Sequence, residues 1–270
     1  MRRLLLIPAI LAMVFTLAAT DAEARKKKAY REPVQPQSQT RRLSDSQLCD
    51  GGVLITAQEQ ATGCSRIIAS RVSRARKAVA HYNRANALVA LSQVADAVED
   101  YSRAIALDAT YAQAYFNRAI AHQITGNWQM AKLDLDAALS IDANDADAYA
   151  ARGMIHLRRA AIDRAMEDFG KALELRPRHG MAATGKGHAH ALLRDWPEAI
   201  TAYDRALEVM PHDADTLYGR GIVNLWSGKA SAGENDMAQA RSLDPSVPER
   251  LAALGLTRTP APLATAAITP

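Results

Sequence analysis

The chain is short of the residues that most often carry chemistry. Its only two cysteines, Cys49 and Cys64, stand near its beginning with too few partners close by to complete a metal site. Its seven histidines are scattered; His188 and His190 are neighbours, but two residues apart on a helix they project to different faces and form no metal pair. No serine or cysteine has a recognisable base and orienting acid beside it. The stretch GMAATGKG, Gly180 to Gly187, has the spacing of a phosphate-binding loop. Gly187, however, takes the place of the magnesium-holding hydroxyl, and the segment follows helical rather than strand patterning. Past the first two dozen residues no run is long and apolar enough to cross a bilayer. These absences lead us to expect no enzyme, no cofactor and no metal.

What the chain has instead is a period. Shifting the sequence by 34 residues returns similar residues: Ala97, Ala131, Ala165, Ala199 and Gly233 at one phase, Ala104, Ala138, Ala172, Ala206 and Ala240 at a second, and Tyr101, Leu135, Phe169, Tyr203 and Met237 at a third. Self-similarity on this scale marks a stacked array whose units bury their apolar faces against neighbours. Within a unit, Tyr115, Arg118, Ala119 and His122 step at helical spacing, Thr125, Gly126 and Asn127 interrupt, and Trp128, Ala131, Leu135, Ala138 and Leu139 resume. The pattern predicts helix, short turn, helix. Ala85, Ala119, Gly153, Gly187 and Gly221 share a position where two helices can approach only without a bulky side chain.

This order of small, large and small residues, closing on an Asp-Pro-like exit, resembles the tetratricopeptide repeat. The resemblance covers five copies in register, 78–111, 112–145, 146–179, 180–213 and 214–247. Pro177, Pro211 and Pro245 mark the exit in three of them, with Ala109 and Ala143 in the other two, and the family's early tryptophan is replaced by His81, Tyr115, Tyr149, Ala183 and Leu217. The resemblance implies an all-α, right-handed solenoid whose first helices line a concave groove. Transferred by phase, Tyr82, Asn86, Phe116, Ile120, Met154, Arg158, His188, Tyr218 and Trp226 are expected to face that groove, together with Ile124, Thr184 and Ile222. A surface so apolar and aromatic suits a protein or peptide partner, although Ile120, Met154 and Ile222 have core as their alternative. Some family members hold a peptide's terminal carboxylate with basic residues and asparagines. Asn86 and Asn117 match two of those positions, but Tyr82, Asp147 and Ala151 replace the required basic residues, so that mode is not expected.

One charge pattern recurs that the apolar template does not need. Arg84, Arg118, Arg152, Lys186 and Arg220 share a phase in the first helix, and Asp100, Asp134, Asp168 and Asp236 share one in the second, where Ala202 lacks its acid. These predict a partly buried ladder of ion pairs that fixes helix orientation.

The flanks read differently. Residues 1–24 have Arg2 and Arg3 before an apolar run, Leu4 to Ala19, then a small-x-small pattern at Ala22 and Ala24, which together predict a secretory signal; an uncleaved anchor is the alternative. The next segment, 25–43, carries seven basic residues and the single acid Glu32. A formal +4 for the chain therefore leaves the part after this segment at about −2, and the basic excess belongs to a linker expected to be disordered. It offers a possible contact with an envelope surface, whereas nucleic acid is not expected. In residues 44–77 the stretch ITAQEQATGCSRIIAS resembles a second helix without a regular first one, an N-terminal cap. In an oxidising compartment Cys49 and Cys64 are best read as a disulfide, with a metal pair or a reactive thiol as rivals. Residues 248–256 predict a C-terminal capping helix and 257–270 a disordered tail. The reading at this level is a periplasmic or secreted scaffold that binds a protein or peptide, against a self-assembling structural protein or an accessory subunit of an envelope enzyme complex.

Overall fold

The computed structural model describes residues 43–259. The expected signal, nearly all of the basic linker and most of the expected tail lie outside them. Every regular element among the described residues is a helix. Two helices, α1 (Asp45–Asp50) and α2 (Ala57–Ala69), precede five pairs: α3 (Arg74–Ala90) with α4 (Val94–Leu107), α5 (Ala112–Ile124) with α6 (Trp128–Ile141), α7 (Ala146–Arg158) with α8 (Ile162–Leu175), α9 (Gly180–Leu193) with α10 (Trp196–Val209), and α11 (Ala214–Trp226) with α12 (Ala230–Leu243). A short α13 (Val247–Ala252) closes the series. Each helix packs on the next, and alternate first helices also touch, as in α7 with α9 and α9 with α11. The architecture is an α-solenoid of helix-turn-helix units.

The period is kept residue for residue because each turn uses the same backbone. Inside the five pairs, Ser92, Gly126, Ala160, Arg194 and Gly228 all adopt left-handed φ, between 54° and 82°, although only two are glycines. Between pairs the chain leaves each second helix through one residue whose N–H donates to the alanine carbonyl four residues back, at Asp108, Asp142, Arg176, Met210 and Asp244, extended in all but Met210. Pro177, Pro211 and Pro245 disfavour helical backbone at the residue before them. Where alanine follows instead, the Asp108 and Asp142 carboxylates accept the N–H groups of Thr110 and Asn144 at 2.9 Å and hold the same turn. Proline therefore reinforces an exit that an aspartate can make alone.

Small residues set the spacing within pairs. A Cβ added to Gly187 would lie 2.5 Å from the Tyr203 ring, and one added to Gly221 would lie 2.5 Å from Met237 Cγ and 2.8 Å from the Gly233 carbonyl oxygen. Tyr203, Phe169, Leu135 and Met237 fill the space beside them and are fully buried.

The charge ladder is built as the phases predict. Arg118 donates through Nε and Nη2 to both carboxylate oxygens of Asp134 at 2.8 and 2.6 Å, and through Nη1 to Ser102 of the preceding repeat at 2.9 Å. Arg84 with Asp100, Arg152 with Asp168 and Arg220 with Asp236 repeat the fork. Burial opposes ionisation of Asp100 more than any other single effect, yet hydrogen bonds from Arg84 and His81 outweigh it and hold the carboxylate below its usual range.

Both ends depart from the period. A six-residue α1 stands where a first helix would be. Cys49 and Cys64 form a disulfide with Cα atoms 4.4 Å apart, joining α1 to α2. Next to it α3 begins at Arg74, four residues ahead of its repeat phase, because Ser73 caps it and the Arg74 guanidinium donates to the Leu107 and Ala106 carbonyls at the end of α4. At the other end, α13 does more than cover the last repeat. Leu251 and Leu256 are buried with Tyr218 and Ile222, and Leu254 packs against the cluster formed by the third and fourth repeats.

Candidate functional site

The first helices present three stretches on the side where the sequence predicts a groove. In the first two repeats the side chains bind one another. Asn86 Oδ1 accepts from Tyr101 Oη at 2.6 Å and from Asn117 Nδ2 at 2.9 Å, while Asn117 also donates to Tyr82 Oη at 3.0 Å. Burial pushes the Tyr111 hydroxyl, beside Tyr82, up to about 12. A small cavity of about 180 Å³ lies next to this network, with Ile120 and Ile124 in its wall. Phe116 and Ile120 are half-buried against the cluster of the second and third repeats. The two asparagines thus spend their amide groups on tyrosines and on each other.

The second stretch is a larger cavity, about 360 Å³, lined by Met154 and Arg158 of α7, Met181, Thr184 and His188 of α9, and Leu254 beyond α13. Trp128, at the start of α6, and Gln123 also border it. The Arg158 guanidinium lies 4.1 Å above the centre of the Trp128 ring, a cation–π contact that leaves the charge available to a ligand. Met181 is exposed, at 45%. Thr184 and Thr216 share a hydrogen bond of 2.6 Å, and Asp213 accepts from Thr216. Asp213, Asp215 and Arg250 also border the cavity, and an apolar floor of methionine and leucine between charged groups of both signs is suited to holding apolar side chains of a peptide and fixing their direction.

At the far end the groove is occupied by the chain itself. Tyr218 is 4% exposed and His188 1%, so Tyr218 offers no open surface, in contrast to the expectation from phase, and His188 only an edge in the cavity wall. Tyr218 packs with Leu251 and Leu256. His188 shares a hydrogen bond of 2.8 Å with Tyr203 Oη, and burial pushes it down to about 4. Trp226 is half-buried and packs on Trp196 with ring centres 5.1 Å apart. The phase argument missed this because the C-terminal segment occurs once and has no sister copy to set its register. It also missed Trp128, which sits at the start of a second helix rather than on a first one.

Comparison with known proteins agrees with the architecture. The family description "TPR repeat" matches residues 85–126, and "Tetratricopeptide repeat" matches residues 150–216 and 184–248. Among solved structures, a tetratricopeptide repeat protein from Parabacteroides merdae superposes with a TM-score of 0.60 at 17% identity, over 73% of this chain and 84% of that one. YrrB, described as a TPR protein with an unusual peptide-binding site, gives 0.52 at 21% identity, over 71% and 96%. MamA from Desulfovibrio magneticus gives 0.54 at 16% identity, over 64% and 98%. No curated protein matches the sequence. At these identities the structural likeness establishes the fold.

Proposed function

Since this chain is a tetratricopeptide-repeat protein, we propose that it is an exported, non-catalytic scaffold that binds a peptide segment of another protein in the cavity between α7 and α9. The observation that carries this reading is the 360 Å³ cavity itself, with its methionine floor and the Arg158–Trp128 pair at its edge. It takes two or three apolar side chains of a short helix or extended segment, and Arg158, Asp213 and Asp215 in its wall read polar neighbours of either sign. The peptide-binding site in the description of YrrB is consistent with that use of the fold. Export is supported by the pattern of residues 1–24 and by the Cys49–Cys64 disulfide, which an oxidising compartment would preserve.

Peptides selected from a random library on the intact protein test the groove. Winners rich in apolar anchors are expected, and Met154→Asp should weaken them at least about tenfold by placing a charge in the apolar floor. The exposed outer substitution Arg164→Ala should not. Equal binding by both variants would remove the groove reading. For export, cell fractionation with sequencing of the mature N-terminus is expected to find a chain starting at Arg25 outside the cytoplasm; a cytoplasmic chain that keeps Met1 would sink that part.

A further inference from the structure

The ladder has one missing rung, and it borders a cavity. In four repeats the arginine of the first helix is bound twice, by an aspartate sixteen residues later and by a hydroxyl or carboxylate of the preceding helix: Ser65 for Arg84, Ser102 for Arg118, Asp136 for Arg152, Asp204 for Arg220. In the fourth repeat the cation is Lys186, the later residue is Ala202, and the earlier one, sixteen residues back, is Gly170. Both acceptors are gone. A Cβ added at Gly170 would meet nothing within 4 Å, and Lys186, half-buried, has no ion-pair or hydrogen-bond partner among the described residues.

The cavity there is about 400 Å³ and is bounded by α8, α9 and α10; the intact first rung borders one of about 340 Å³, so the missing acid changes the charge of the space rather than creating it. Helical spacing puts Lys186 and His190 on the side of α9 turned away from Thr184 and His188, so this cavity is separate from the groove. Its counterpart in the first repeat shows what has changed. There Arg84 and Arg103 face Asp96, Glu99 and Asp100. Here Lys186, Arg205 and Arg178 face a single acid, Glu198, because Thr201 and Ala202 occupy the positions of Glu99 and Asp100. Over these shared positions the formal balance moves from one net negative charge to one net positive, and Arg178 adds a further cation to the wall. His190 bears the same mark: its equivalents His122 and His156 stand 3.9 and 3.8 Å from Asp134 and Asp168, whereas His190 turns instead to Asp195 at 3.4 Å. Leu173, Pro177 and Val209 supply apolar wall.

We propose that this cavity is a second binding site, in which an acidic side chain of a partner protein's segment supplies the carboxylate that Ala202 lacks. The chemistry is read from the sister repeats, where the same position holds a carboxylate bound to a cation on the first helix. An ammonium with no internal partner is free to take one from outside. Two more cations at the rim favour a segment with more than one acid, and the apolar wall favours a leucine or valine next to it.

The full-length protein is titrated, at fixed ionic strength, with a fluorescent hexapeptide containing two glutamates and a leucine, with its glutamine-substituted copy, with glutarate and with inorganic phosphate. The glutamate peptide is expected to bind, and Ala202→Asp and Lys186→Gln each to weaken it about tenfold or more. Ala202→Asp restores the residue of four sister repeats, so its melting temperature should equal or exceed that of the parent, and lost binding cannot then be put down to unfolding. The glutamine copy should not compete. Equal peptide affinity for the parent and Ala202→Asp would overturn the site. Glutarate binding as tightly as the peptide would overturn the partner segment in favour of a free dicarboxylate, and phosphate binding more tightly than either would overturn the carboxylate. A loss confined to Met154→Asp would assign the peptide to the groove and overturn this site while leaving the first reading intact.

Discussion

A single arginine in the ladder does the work of several contacts. Arg152 holds Asp168 by two hydrogen bonds, 2.9 and 2.7 Å, and Asp136 by a third at 2.9 Å; its pKa is raised chiefly by the bond to Asp168. Asp168 is almost wholly buried, so removing the cation strands a charge. Arg152→Met is expected to cost about 3 kcal/mol in urea unfolding, and unchanged stability with altered peptide binding would show the ladder to be a ligand site instead. His188 gives the opposite kind of dependence. Burial lowers it from 6.5 to about 4, against the pull of Asp213 and Asp215, so the folded protein keeps it neutral while the unfolded chain takes up a proton first. Its contribution is therefore complete above pH 6.5 and is lost as the pH falls toward 4, by about 3 kcal/mol. His122 and His156 are also lowered by burial and add slope in the same direction. His188→Gln, which can still hydrogen-bond Tyr203, should flatten the stability profile between pH 6.5 and 4 while leaving a remainder from those two. An unchanged profile would mean that His188 titrates alike in the folded and unfolded chain.

Within the helix pairs, backbone conformation and side-chain volume are separable. Ala160 holds a left-handed φ of 54° at the turn where Gly126 and Gly228 stand in sister repeats. Ala160→Gly is expected to stabilise the protein by about 1 kcal/mol, the left-handed penalty of a side chain less the entropy of glycine; thermal melting would detect it, and a loss of stability would refute the strain. Gly233 is the reverse case, since a Cβ there would lie 2.6 Å from the Gly221 carbonyl oxygen. Gly233→Ala should cost about 2 kcal/mol by forcing α11 and α12 apart. These positions explain how much could be read from the sequence. The helix pairs, their close contacts and the ladder were legible because five copies average out the accidents of each, and even the lost acid at Ala202 stood out by comparison. The left-handed turn was not, because serine, alanine and arginine fill it in three copies without announcing φ. The inward course of Leu254 and Leu256 was not either, for want of a second copy to compare. For the same reason Tyr218, assigned to the groove by phase, lies against Leu251 and Leu256, chain that the period does not describe.

At the scale of the whole array, stability is expected to be local, because each pair packs on its neighbours and no single core unites the ends. The N-terminal cap is where this can be tested. Cys49 and Cys64 are completely buried with Ala80 of α3, and Asn83 donates to the Cys49 carbonyl at 3.1 Å, so the disulfide segment shields the first face of the first repeat. Reducing the bond, or replacing both cysteines with serine, returns roughly 3 kcal/mol of chain entropy to the unfolded cap. Amide exchange should then quicken through α1, α2 and α3 and fade in effect by α5, while α9 to α12 exchange as before. A uniform loss of protection from α3 to α12 would mean that the repeats unfold as one cooperative body. In that event a ligand in either cavity would report on the stability of the entire stack rather than on its own repeat.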